Sequence, residues 1–191
     1  MTYDPITKPL TYKIAVEVAS HEAIIRQAYK DSVNVWTWSA GLTSMSGHKV
    51  ERYIGNPQTM RRCLEVYIWA LDNYADVVRS VFEGVELSEH EMGGALSFHW
   101  NTGAIARATW AKRFKAGDRA GARQAFMNYR KPEAIIPRRE KERDLFFDGK
   151  WSGKGRVVEY TRLTSRHTPI WSSAVNVDVS AMLRPIIEAH T

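Results

Sequence analysis

Glu22, Asp31 and Thr37 lie within one stretch, HEAIIRQAYKDSVNVWTWSAGLT, from His21 to Thr43. Hydrolysis of a glycosidic bond needs one carboxyl that stays protonated to donate to the leaving oxygen. It also needs one ionised carboxylate to act as base or nucleophile. The two acids stand nine positions apart and the threonine six beyond the second. A hydroxyl there could position a water together with Asp31. Taken alone, the same spacing also fits a surface acid and a turn-forming aspartate.

The flanking elements must hold these groups. Thr11 can cap a helix in which Ile14, Ala15, Val18 and Ala19 recur at helical spacing, reaching about Glu22. Glu22 would then sit in the last turn, where the partial negative charge of the helix end opposes ionisation. From Ala28 to Ile54 short alternating runs, with Val33, Val35 and Thr37 between Asn34, Gly41, Gly47 and Gly55, predict a small antiparallel sheet. Asn56-Pro57 reads as a cap and first helical position. Met60, Leu64, Tyr67, Ile68 and Leu71, then Val77, Val78, Val81 and Phe82, predict one long helix or two in tandem.

Beyond this the pattern is helical to about Phe147. Ser88 to Glu91 is a capping box, Asn101-Thr102-Gly103 is a break, and a short helix leads to Phe114. Gly117-Asp118 ends that helix and caps another to about Tyr129. Lys131-Pro132 and Pro137 bracket a loop before a last helix, Arg138 to Phe147. The sign-mixed run RREKER, Arg138 to Arg143, reads as a solvated helix face. The expected class is α+β, with a small antiparallel β lobe over about residues 28–55, a larger helical lobe over about 57–151, and a cleft between them. Residues 1–10, with Pro5 and Pro9, read as an arm. Residues 152–191 read as a C-terminal extension with a strand at Val157 to Tyr160 and an amphipathic end interrupted by Pro185.

The chain has 191 residues, 44% hydrophobic and 25% charged, which suits one compact domain. Its apolar runs are too short to cross a bilayer. The N-terminus lacks a basic start and carries Asp4 and Pro9, unlike a secretory signal. Cys63 is the single cysteine, so it reads as a buried small hydrophobe in a chain that folds under reducing conditions. A net charge of +6 and a pI near 9.5 suit a polyanionic partner, whether nucleic acid, acidic lipid or cell wall. His21-Glu22 and His90-Glu91 begin like a zinc-protease motif, but Ile25 and Gly94 stand where the second histidine is needed. No phosphate-binding glycine loop is present, His99 reads as a core or surface residue, and no cofactor or metal is expected.

The order Glu22, Asp31, Thr37 in the context AYKDSVNVWT resembles the active-site signature of the phage-type lysozymes, the muramidases of glycoside hydrolase family 24. ALSFHWNTGA, Ala95 to Ala104, resembles that family's helix and Asn-x-Gly turn across the cleft. FKAGDRAGARQAFMNYR and PRREKERDLFFDGKW resemble its closing helices, so the likeness spans roughly residues 10–151. It implies a lysozyme-like fold, with Glu22 as general acid, Asp31 as second carboxylate and Thr37 as catalytic threonine. It also implies that Arg138 pairs with the acid and that Trp100 and Asn101 contact the glycan.

The chain departs from the family pattern in three places. Trp38-Ser39-Ala40-Gly41-Leu42 replaces Ile-Gly-Tyr-Gly-His, Asn34 stands where glycine is usual, and Ala108 replaces a serine. The implied activity is cleavage of the β-1,4 bond between N-acetylmuramic acid and N-acetylglucosamine in peptidoglycan, with inversion. A monomer is expected, without nucleic acid or stable membrane insertion. It would be made in the cytoplasm without a signal peptide and act in the periplasm or wall after holin-type release, dedicated secretion or lysis. The alternatives are a wall-binding protein of the same fold with weakened or lost catalysis, and, on charge alone, a nucleic-acid-binding protein.

Overall fold

The computed structural model describes residues 10–190, so most of the arm expected over residues 1–10 lies outside the described residues. The chain forms two compact units, each assembled from two segments. One comprises residues 10–18 with Leu71–Ser152, and the other Ala19–Ala70 with residues 153–190.

The second unit contains a five-stranded sheet. Its strands are β1 (Ala23–Lys30), β2 (Trp36–Ser39), β3 (Leu42–Thr43), β4 (Arg156–Tyr160) and β5 (Ala174–Asp178), in the order β3-β2-β1-β4-β5. β1, β2 and β3 form an antiparallel meander, as the alternating pattern predicts. The strand begins earlier than expected, because β-branched Ile24 and Ile25 favour extended backbone. Residues 31–35, expected as part of an alternating strand, instead make the turn between β1 and β2, with Asn34 left-handed at φ 64°.

Residues 153 onward are not peripheral to the sheet. β4 pairs in parallel with β1, and β5 closes antiparallel onto β4. The sequence marks the strand at Val157 to Tyr160 but gives no signal for its partner, because pairing of residues 135 positions apart is a tertiary event. Trp38 anchors the apolar side of this unit. It is fully buried, stacks on Tyr53 at 4.0 Å, and donates from Nε1 to the Arg26 carbonyl at 2.9 Å.

Helix α1 (Tyr12–Ser20) starts as expected, with the Thr11 hydroxyl accepting from the Ile14 N–H at 3.3 Å. Helix α2 (Met60–Val81) is one continuous helix of 22 residues that runs through the boundary between the units. Asp72, at the polar interruption, is held by Arg79 one to two turns on, at 3.3 Å. The cap is not Asn56 before Pro57; the Thr59 hydroxyl accepts from the Arg62 N–H at 3.1 Å. The Gln58 N–H is instead committed to the Arg26 carbonyl of β1 at 2.7 Å, and residues 56–59 lie outside any helix.

In the first unit, α3 (Glu89–Thr102) opens on the expected capping box of Ser88 and Glu91 and ends at left-handed Gly103. Helices α4 (Thr109–Lys115) and α5 (Arg119–Phe126) follow, the latter capped by Asp118. Helix α6 (Ile136–Asp148) begins two residues before Arg138. Their apolar faces meet in an aromatic cluster, with Trp110 centred 5.2 Å from Phe98, 4.6 Å from Phe126 and 5.0 Å from Phe146. Gly94 on α3 allows a close helix approach, since a Cβ there would lie 2.8 Å from the Cβ of Phe146.

The run RREKER corrects its sequence reading. Arg139 and Glu142 are 1% and 0% exposed, and they form a buried ion pair. Arg139 also donates to the Tyr129 carbonyl at 2.9 Å and to Asn101 Oδ1 at 2.6 Å, while Glu142 accepts from Ser97 at 2.7 Å and from Arg138 at 2.9 Å. Spacings of three and four put 139, 142 and the core residues Leu145 and Phe146 on one helical face. Sign alternation alone therefore misplaces two of these charges. The last helix, α7 (Ser180–His190), buries Leu183, Ile186 and Ile187. Among the described residues no helix is long and apolar enough to cross a membrane.

Candidate active site

Glu22 does not sit in the last turn of a helix. Helix α1 stops at Ser20, and Glu22 occupies the bend before β1, its N–H donating to the Ala19 carbonyl at 3.1 Å. The two following isoleucines take the chain into the sheet before another helical turn can form. The acid is thus presented from the junction of a helix and a strand.

Asp31 stands immediately after β1 and organises the turn to β2. Its Oδ1 accepts from the backbone N–H groups of Val33 at 3.0 Å and Val35 at 2.8 Å. This is the local side-chain-to-backbone bonding for which aspartate is favoured in turns. Oδ2 points toward the Thr37 hydroxyl at 3.5 Å. That hydroxyl also lies 3.2 Å from the Val35 carbonyl. A separation of 3.5 Å exceeds the usual O–H···O range of about 2.5–3.0 Å, so the contact is a weak one. Thr37 is 3% exposed and sits opposite Tyr29 in the β1–β2 pairing.

Glu22 and Asp31 line one pocket of about 340 Å³. Tyr29 lines it too, and its phenol is pushed well above the ordinary tyrosine value, first by burial and then by the charges of Glu22 and Asp31. A phenol that feels both acids stays protonated and can act as a hydrogen-bond donor in this pocket. No local signal in the sequence singles out Tyr29, because its place beside the acids depends on the sheet. β1 begins at Ala23 and brings both Ile25 and Tyr29 to the pocket lining, with an irregularity in the β1–β2 register between them.

The loop that departs from the family pattern closes against Glu22. Ser39 is left-handed at φ 53° and Gly41 at φ 84°. A Cβ on Gly41 would lie 3.4 Å from Glu22 Oε2. The Ser39 hydroxyl donates to the Cys63 carbonyl on α2 at 2.9 Å, which fixes the loop from behind. Burial pushes the Cys63 thiol up to about 12, consistent with a packed rather than a reactive cysteine.

Arg138, Trp100 and Asn101 belong to the other unit. Arg138 is held by Glu142, Trp100 is tilted against Tyr74 at 4.9 Å, and Asn101 is exposed with its Oδ1 occupied by Arg139. Asn101 and Arg139 border a second pocket of about 330 Å³ with Tyr129 and Pro132. His99 is buried beside Tyr74, and burial lowers its pKa to about 4. It therefore packs as a neutral ring.

The fold is mixed α+β, with Glu22 and Asp31 lining one pocket and Thr37 beside Asp31, and this arrangement is lysozyme-like. The chain belongs to the phage lysozyme family, whose model matches residues 19–142. Lysozymes of this family degrade peptidoglycan. Among solved structures, the endolysin from Escherichia coli O157:H7 phage FAHEc1 is similar with a TM-score of 0.67 and 22% identity, covering 76% of this chain and 98% of that one. A mutant of P22 lysozyme is similar with a TM-score of 0.63 and 23% identity, covering 74% and 100%. The muramidase domain of SpmX from Asticaccaulis excentricus is similar with a TM-score of 0.61 and 19% identity, covering 73% and 98%. At these identities the likenesses show the fold. No curated protein matches the chain.

Proposed function

We propose that the protein is a muramidase that hydrolyses the β-1,4 bond between N-acetylmuramic acid and N-acetylglucosamine by single displacement. The observation that carries this reading is the placing of Glu22 and Asp31 in one pocket, with Asp31 Oδ1 held by two backbone donors and Oδ2 turned toward Thr37. Glu22 protonates the glycosidic oxygen. Asp31 and Thr37 orient a water on the opposite face of the sugar, and Asp31 takes its proton as the new bond forms. Tyr29 acts as a hydrogen-bond donor in this pocket. Trp100 and the amide N–H groups of Asn101 contact the glycan.

The net charge of +6 favours adsorption to an anionic wall. The chain acts as a monomer and needs no cofactor. It reaches the periplasm or wall after holin-type release, dedicated secretion or lysis.

A cell-wall clearing assay tests the assignment. Glu22→Gln keeps the shape and removes the donor, and clearing should fall by about 10²–10⁴-fold. Clearing equal to the unaltered chain would remove Glu22 from the reaction. A second reading, a wall-binding protein without turnover, draws on the altered loop whose Gly41 abuts Glu22. Negligible clearing by both forms with preserved sedimentation on sacculi would favour it. NMR of the first-formed anomer checks the stereochemistry: a retained β product excludes direct attack by water.

A further inference from the structure

The C-terminal hairpin supplies the other wall of the pocket that holds Glu22 and Asp31. β4 pairs with β1 so that Ala23 faces Val158 and Ile24 faces Glu159. Side chains alternate across a sheet. Glu159 therefore emerges beside Ile24 and Arg26, and it pairs with Arg26 at 2.6 Å. Tyr160 emerges on the opposite face, with Ala23 and Ile25, where the pocket lies.

After β4 the chain makes a turn built on Thr164, whose hydroxyl accepts from the Arg166 and Thr168 N–H groups, both at 3.2 Å. The Lys30 N–H donates to the His167 carbonyl at 2.8 Å, and the His167 ring meets Trp36 edge-on at 5.2 Å. These contacts fix the turn against the end of β1, one residue from Asp31. They bring Pro169 and Trp171 into the pocket lining. Trp171 is 71% exposed, and its ring is braced by Tyr160 in an edge-to-face contact at 5.2 Å and 85°.

We infer that Trp171, braced by Tyr160, is a stacking platform for one pyranose ring of the glycan strand, adjoining the Glu22–Asp31 pair. The choice of ligand rests on the muramidase reading. A flat indole matches the C–H face of a sugar, and Thr168 and Lys30 bring polar groups to the same lining. The two acids disfavour an anionic occupant. A volume of about 340 Å³ admits a single ring and not a length of strand. Residues 153–190 fall outside the segment matched by the family.

The test uses the full chain carrying Glu22→Gln, so that ligand is not consumed. It is titrated with tetra-N-acetylchitotetraose and followed by tryptophan fluorescence and calorimetry. Adding Trp171→Ala should weaken binding about tenfold, and Trp171→Tyr should restore most of it. In the chain with Glu22 intact, Trp171→Ala should raise KM for peptidoglycan, with the loss falling on KM and not on kcat. Unchanged affinity in Trp171→Ala, or equal weakening by alanine and tyrosine, would overturn the platform while leaving Glu22-dependent clearing intact. Binding that Trp171→Ala abolishes in a chain that never clears walls would support the platform and remove the muramidase reading.

Discussion

Replacing Glu142 by alanine should be among the most damaging single changes outside the candidate active site. Its carboxylate is fully buried and accepts from Ser97 at 2.7 Å and Arg138 at 2.9 Å, besides its pairing with Arg139. Arg139 is 1% exposed, and burial lowers its pKa, an effect opposed by the neighbouring Glu142 charge. A guanidinium remains protonated even so. Glu142→Ala therefore leaves a buried cation without its counter-charge and leaves the Ser97 hydroxyl unpaired. Removing one partner of a buried pair costs about 3–5 kcal/mol, a large share of a total of about 5–15 kcal/mol. At roughly 2–4 °C per kcal/mol for a chain of this size, the melting temperature should fall by roughly 10 °C. Thermal melting followed by circular dichroism reads this directly. Glu142→Gln, which keeps an acceptor without the charge, should fall between the two. A shift for Glu142→Ala under about 2 °C would refute the buried pair and return RREKER to a solvated face.

Two further outcomes follow from local geometry. Gly41→Ala forces a side chain into a left-handed backbone and against Glu22 Oε2. It should cost about 1–2 kcal/mol in stability and lower clearing more than melting explains; full activity would show that the loop does not set the acid's position. His99 holds a pKa of about 4 in the folded chain, against an ordinary value near 6.5. Between those values the unfolded chain binds the extra proton, so stability falls as pH drops from 6.5 toward 4, by up to about 3 kcal/mol. His99→Gln should flatten that part of the urea-melting profile, and an unchanged slope would assign it to other groups.

Local signals carried much of the architecture. The capping box at Ser88, the breaks at Gly103 and Gly117, and the alternation around Thr37 depend on neighbours within a few residues. So do the order and context of Glu22, Asp31 and Thr37, which carry the resemblance to the family. Failures came where long-range contacts outweighed local pattern. Asn56-Pro57 has the chemistry of a helix start, yet Gln58 is bonded to β1 and the helix begins at Met60. Arg139 and Glu142 look solvated in a sign-mixed run, but their helical face is turned into the core.

The sequence by itself singles out the candidate acids and threonine and the mixed class of the fold, because residue type and spacing carry those signals. Only the tertiary structure placed Glu22 beyond the helix end, brought Tyr29 beside both acids and paired β4 with β1. That last step turns residues 153–178 from an extension into a wall of the acid pocket. The reason is physical: a strand's partner and the face a side chain shows to a pocket are fixed by pairing between segments far apart in sequence, and no local window records that choice.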